Sequence, residues 1–135
     1  MSKFILLLLL IFSGIVTVSA QTGNVNFEKI APEVQAALNQ GGAPDILVIF
    51  REKADLSGAY LVRGKTNKAR YVVERLQQTA ANSQARALKL LRSRNSYVNS
   101  FYLVNALAVR RADAVSIYAL AAMPEVARIA ADPVI

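Results

Sequence analysis

A run of nine residues, 101–109, reads FYLVNALAV and is apolar at every position except Asn105. A strand with one face in water alternates apolar and polar side chains, because successive side chains point to opposite faces of the sheet. This run does not alternate. It therefore predicts a sheet that is covered on both faces, or a sheet with one face reserved for a partner.

The first twenty residues have the pattern of a secretory signal peptide. Lys3 precedes an apolar stretch at residues 4–12, and small residues lead to a predicted cleavage site after Ala20. An uncleaved membrane anchor is the alternative, but the apolar span before Gln21 is short for a full bilayer crossing. We therefore expect a secreted or periplasmic protein, with no stable membrane anchor once the leader is removed.

The composition limits both the fold and the chemistry. The segment from Gln21 onward is long enough for one small domain with one core. The chain has 16 basic and 9 acidic side chains, so loss of Lys3 with the leader leaves a net charge of +6. Cysteine and histidine are both absent. An exported chain of this kind is held together by packing or by a partner, and it lacks the residues for a Ser-His-Asp triad, a Cys-His pair or the usual zinc sites. We expect no cofactor and no metal.

Local patterns predict a short helix at residues 27–38 and then six main elements in the order strand, helix, strand, strand, helix, strand. A Gly- and Pro-rich turn precedes the first strand, a loop spans residues 51–65, and a bend at Asn105 and Ala106 separates the second strand from the third. The long helix is marked by a regular 3.6-residue apolar period. The predicted strands are 45–50, 97–104, 107–109 and 126–132, and the two main helices are 66–94 and 112–122.

This order predicts a ferredoxin-like βαββαβ sandwich, an α+β fold in which a four-stranded antiparallel sheet carries two main helices on one face. Two helices cover only one face of such a sheet. The predicted strands at residues 46–50 and 101–109 are nevertheless too apolar for a face in water. The second face is therefore either a partner surface or is covered in part by the short helix at residues 27–38.

Three features follow one another in the last third of the chain: residues 102–109, the predicted helix at 112–122, and a closing pattern P-x-V-x-x-I-x-x-D. The closing pattern consists of Pro124, Val126, Ile129 and Asp132. Together with earlier segments at residues 29–33, 46–50 and 53–56, this set resembles the N-terminal propeptides of subtilisin-like (S8) serine proteases, the inhibitor I9 family. The resemblance extends over residues 27–135. It divides the chain into a signal peptide (1–20), a leader with a short helix (21–44) and a propeptide-like domain (45–135).

The resemblance implies a domain that binds a subtilisin-like protease, in cis as part of a precursor or in trans as an inhibitor. In this family the open sheet face packs on two surface helices of the protease, and the segment after the last strand lies in the active-site cleft as an extended strand. The contact also assists folding of the protease. The expected protease-binding residues are Arg128, Ala130, Asp132, Pro133, Val134 and Ile135.

The sequence departs from the family pattern in two places. Family members often carry several acidic residues at the end of the last strand, whereas here Asp132 follows Ala130 and Ala131. The tail of the family also runs further than the three residues that follow Asp132. The sequence is therefore expected to be either the front part of a longer precursor or a stand-alone module with a short tail.

Other functions are less consistent with the residues. No histidine is present to activate a serine, and Arg51 lacks the Gly-rich turn of a phosphate-binding hydrolase loop, so we expect no enzymatic activity from this chain. Phe101 and Tyr102 are adjacent and point to opposite faces, which disfavours a base-stacking platform and hence nucleic-acid binding. The alternative to protease binding is an exported ferredoxin-like scaffold module that binds a partner unrelated to proteolysis.

Overall fold

The fold is known from a computed structural model, which describes residues 24–132. The predicted signal peptide at residues 1–20 and the predicted tail residues Pro133, Val134 and Ile135 lie outside the described residues. Within the described range, no helix has the length and apolarity needed to cross a bilayer.

The described residues form three α-helices, four strands and two short 3-10 helices. The 3-10 helices are Phe27–Lys29 and Ser57–Leu61. The helices are α1 (Pro32–Asn39), α2 (Lys65–Ser93) and α3 (Ala114–Ala121), and the strands are β1 (Ile46–Phe50), β2 (Val98–Phe101), β3 (Ala106–Val109) and β4 (Val126–Ala131).

The strands form one sheet in the order β2-β3-β1-β4, and each neighbouring pair is antiparallel. This arrangement confirms the predicted α+β sandwich of the ferredoxin-like type. Right-handed crossovers place α2 and α3 on the same face of the sheet, and the core lies between the two layers. Alternate residues of β1 point into that core, where Ile46, Val48 and Phe50 are buried.

The short N-terminal helix predicted at residues 27–38 is interrupted. A 3-10 turn is followed by extended residues Ile30 and Ala31, and α1 begins only at Pro32, a residue suited to the first helical position because it has no N–H to satisfy. Ile30 forms a parallel bridge with Ile129 of β4, and the Ala31 N–H donates to the Ile129 carbonyl at 2.8 Å. The segment therefore lies along the β4 edge of the sheet.

The predicted second strand, residues 97–104, was too long. It ends at Phe101, and residues 102–105 form the turn that leads into β3. Asn105 has a φ of 46°, in the left-handed region that asparagine tolerates better than most residues. As a result Leu103 and Val104 are not strand residues at all, and their side chains are 67% and 68% exposed.

The long helix extends well beyond the sheet. Its 29 residues span about 43 Å at 1.5 Å per residue, whereas strands of four to six residues span roughly 13–20 Å. Its C-terminal half packs in the predicted way, with Ala80, Ala87 and Leu91 buried. Ala69 and Val73, which the 3.6-residue period assigns to the same inner face, are exposed because no strand lies beneath them.

Asp113 is the N-terminal cap of α3, whereas the helix predicted at residues 112–122 would place it inside the first turn. Its Oδ1 accepts a hydrogen bond from the Ser116 N–H at 2.7 Å, and Arg94 lies 3.5 Å from its other oxygen. The hydrogen bonds with Ser116, supported by the charge of Arg94, hold the pKa of this carboxyl below its usual value of 3.8. The ionised carboxylate therefore contributes stability above about pH 4, and this contribution is lost as the pH falls through the lowered pKa.

Asp113→Ala should lower the free energy of unfolding by about 1 kcal/mol at neutral pH, because it removes the N-terminal cap. The difference from wild type should shrink as the pH falls below about 4, because the carboxyl is protonated first in the unfolded state and then, below the lowered pKa, in the folded state as well. Urea unfolding at several pH values measures this. Asp113→Ser keeps a capping oxygen and should lose less stability at neutral pH; equal losses for both variants would contradict the capping role.

Candidate protein-binding surface

The sheet has a second face that points away from α2 and α3, here called the open face. Directly opposed residues of antiparallel neighbours share a face, so the strand registers assign its members. The pairs Leu47 with Ala108 and Ile49 with Ala106 lie at its centre. The complete set is Leu47, Ile49, Asn99, Phe101, Ala106, Ala108, Arg128 and Ala130.

The open face is shallow and mainly apolar. Three alanines, Ala106, Ala108 and Ala130, keep its surface low, and the larger side chains of Leu47 and Ile49 on the central strand are only half-buried. Larger or polar groups stand toward the two edges: Phe101, 46% exposed, and Asn99 on β2, and Arg128 on β4. Because these side chains are small, a helix or strand of a partner can pack close to the backbone of the sheet, just as small residues allow two helices to approach closely.

The N-terminal segment does not cover this face. Val34 of α1 is fully buried in the core on the helix side, and the Phe27 ring packs edge-to-face on Tyr118 of α3 with centroids 5.6 Å apart. The Lys29 ammonium donates to the Met123 carbonyl at 2.7 Å, just after α3. Burial, with the positive charge of Arg51 nearby, lowers the pKa of Lys29. Within the described residues, the short helix therefore does not cover the open face. Such coverage was one of the two alternatives that the sequence left open.

The predicted binding residues of β4 have a definite placement. Arg128 pairs opposite Ile49 and Ala130 opposite Leu47, so both belong to the open face. Asp132 follows the strand, and its N–H donates to the Asp45 carbonyl at 2.9 Å, which extends the pairing with the residue before β1. Asp132 thus continues the line of β4 by one residue.

A buried polar network lies beneath the β2–β3 turn and was not predicted from the sequence. The Asn105 amide donates to the Ser83 hydroxyl at 2.9 Å and to the Glu52 carbonyl at 2.8 Å, and its oxygen accepts from the Gln84 amide at 3.0 Å. Gln84 in turn accepts from the Ser100 hydroxyl at 2.6 Å. Among the described residues, no buried side-chain nitrogen or oxygen lacks a partner.

This network joins the turn to α2 and to the loop after β1, and its groups are all engaged in hydrogen bonds. The Ser83 hydroxyl has two acceptors within reach, the Thr79 carbonyl at 2.8 Å and the Asn105 amide oxygen at 3.1 Å. The one sequence signal for the network was Asn105 as the single polar residue of an apolar run. Its arrangement supports the shape of the turn.

Within residues 24–132, no group of three or more Asp, Glu, His or Cys side chains is placed to hold a metal ion. Comparisons with protein-family models, with curated proteins and with solved structures each found no match to this chain. The functional interpretation therefore rests on the residues themselves, on the fold and on the open face.

Proposed function

We propose that this chain is an exported binding domain for a subtilisin-like serine protease, acting as a propeptide or as an inhibitor and assisting the folding of the protease. The observation that carries the proposal is the open face: a mainly apolar sheet surface that no described segment of the chain covers. An apolar surface left uncovered by a small domain is typical of an interaction site. The sequence resemblance to the I9 propeptides suggests which partner occupies it.

The position of β4 supports a second contact. Arg128 and Ala130 lie on the open face, and the chain continues from Asp132 toward Pro133, Val134 and Ile135. In the proposed complex, a protease seated on the open face also takes up this tail. An extended tail can pair through its main-chain groups with the edges of a protease cleft and exclude substrate, a form of strand addition.

In this proposal the chain binds the protease and catalyses no reaction itself. Assistance with folding follows from the same contact, because binding to a partly folded protease stabilises those non-local contacts of the protease that form slowly. Binding also stabilises this domain by mass action, which is important for a small sheet domain without disulfides.

The tail provides the direct test. Residues 21–135 should slow the hydrolysis of a chromogenic peptide by a subtilase encoded in the same genome, and deletion of residues 133–135 should weaken inhibition at least about tenfold, the loss expected for a few main-chain hydrogen bonds. Deletion of residues 21–23, of equal length at the other terminus, is the matched control and should have no effect.

Two results would contradict the proposal in different ways. Unchanged potency after the tail deletion would exclude occupancy of the cleft while leaving binding by the open face intact. No inhibition and no measurable complex with any such protease, by titration calorimetry, would favour the scaffold alternative, in which another exported partner or a second copy covers the open face.

A further inference from the structure

Different loops and chain segments lie at the two ends of the sheet. β1 and β2 run parallel to each other with β3 between them, so the chain leaves both at the same end, here called the turn end. This end holds the loop after Phe50, the beginning of α2 and the turn at residues 102–105. β4 runs antiparallel to β1, so Asp132 lies at the opposite end, beside Asp45. Asp132, the last described residue, is therefore remote from the turn end.

Large apolar side chains are exposed at the turn end on two projections. Tyr60 and Leu61 lie in the 3-10 helix that packs on the first half of α2, and they are 75% and 71% exposed. Leu103 and Val104 lie in the β2–β3 turn with similar exposure. A cavity of about 330 Å³ lies between the turn and the loop that precedes this 3-10 helix, since its lining includes Leu103 and Val104 together with Leu56 of the loop and Leu76 of α2. Side chains of this size and exposure at one end of a small domain are unusual for a surface in water alone.

The same end is strongly basic. Residues 51–75 contain seven basic and three acidic side chains, a net charge of +4. The ion pairs found within residues 24–132 involve Arg86, Arg94 and Arg110, and none of them involves a cation from residues 51–75. The cations of this segment are thus free of ion pairs across the described range. This segment therefore accounts for +4 of the net charge of +6 on the predicted mature chain.

We propose that this basic tip, defined as residues 51–75 together with Leu103 and Val104, docks on an anionic lipid bilayer. Apolar side chains that project from a collar of lysine and arginine suit the boundary between headgroups and acyl chains, where the apolar groups insert and the cations remain with the lipid phosphates. The charge of the tip complements an anionic membrane surface. Lipid docking does not depend on the proposed protease binding, because the open face remains accessible when the turn end contacts lipid.

The test uses residues 21–135, which contain every described contact but not the apolar leader. The protein is mixed with sedimentable vesicles of phosphatidylglycerol and phosphatidylcholine and, in parallel, with vesicles of phosphatidylcholine alone. We expect at least about tenfold tighter binding to the anionic vesicles, since each cation near such a surface contributes about fivefold. Binding should weaken strongly in about 0.5 M salt, because the charges are exposed and screened. Failure to sediment with anionic vesicles, or equal binding to neutral ones, would overturn the proposal.

Two pairs of variants locate the contact. Leu61→Ser combined with Leu103→Ser should weaken vesicle binding at least about tenfold, whereas Val115→Ser, at a 57% exposed valine of α3, should have no effect. Lys65→Gln combined with Lys68→Gln should weaken it about 25-fold. Lys89→Gln combined with Arg92→Gln, on the other half of the same helix, is the charge-matched control.

Losses as large in the control variants as in the tip variants would show non-specific adsorption and overturn the proposal. The tip variants should leave protease inhibition unchanged. If they weaken inhibition while the wild-type chain ignores anionic vesicles, the tip is a protein contact and the lipid assignment is wrong.

Discussion

Replacing Asn105 with alanine is expected to lower the free energy of unfolding by about 3 kcal/mol, as measured by urea denaturation. The change removes hydrogen bonds to Ser83, Gln84 and the Glu52 carbonyl, and the Gln84 amide is left buried with only a long contact to the Ala106 carbonyl. Buried polar groups without partners cost more than the hydrogen bonds were worth. Alanine also tolerates the left-handed conformation at this position less well than asparagine.

Two further variants separate the causes. Asn105→Gly adopts a φ of 46° without strain but makes no side-chain hydrogen bonds, so it should recover only the backbone part of the loss. Asn99→Ala, at an exposed asparagine of β2, changes the same residue type outside the network and should have an effect within about 0.5 kcal/mol. If Asn105→Ala is no more destabilising than Asn99→Ala, the network contributes little to stability.

The order of elements could be predicted because each has a local signature. The 3.6-residue period of α2, the compact apolar run of β1 and the turn signals between them are visible in any short window of the sequence. The right-handed crossover rule then leaves few arrangements of strand, helix, strand, strand, helix, strand. These local signals were sufficient for the fold class and for the conclusion that two main helices cover only one face.

The extent of β2 could not be predicted in the same way. Tyr102 and Val104 favour strands, and Asn105 predicts a bend at residues 105 and 106 without indicating that the strand already ends at Phe101. The turn is set by Asn105, whose partners Glu52 and Ser83 are 53 and 22 residues away. Such long-range contacts override local propensity and have no signature in a short window.

The outward placement of Arg128 and Ala130 depends on a local irregularity. Val126 and Ile129 are both buried although they are three residues apart, which a regular strand with its two-residue period does not allow. The register of β4 against β1 shifts between Ile49 and Phe50, and this bulge turns both side chains to the core. The bulge appears only in the pairing of the strands and not in the local sequence.

Ala130→Lys is expected to weaken protease inhibition about 100-fold, because it buries an unpaired charge in the proposed interface. Ala130 lies on the open face opposite Leu47, one step along the strand from Arg128 on the same face. A lysine there cannot form an ion pair with Arg128. Its longer side chain also projects from a surface that the alanines keep shallow. The free domain should keep its stability within about 0.5 kcal/mol, since Ala130 is only half-buried on an edge strand. Inhibition constants and urea midpoints measure the two effects separately.

Val115→Lys is the matched control, since Val115 is an exposed apolar residue of α3 on the opposite side of the sheet. It should leave inhibition unchanged. If Ala130→Lys inhibits as well as wild type while deletion of residues 133–135 abolishes inhibition, the tail acts alone and the open face serves another partner. If Val115→Lys weakens inhibition as much as Ala130→Lys does, added positive charge and not its position is responsible. Only a loss confined to Ala130→Lys supports a protease seated on the open face, because only that variant changes the face while the tail, the helix layer and the turn end stay as they are.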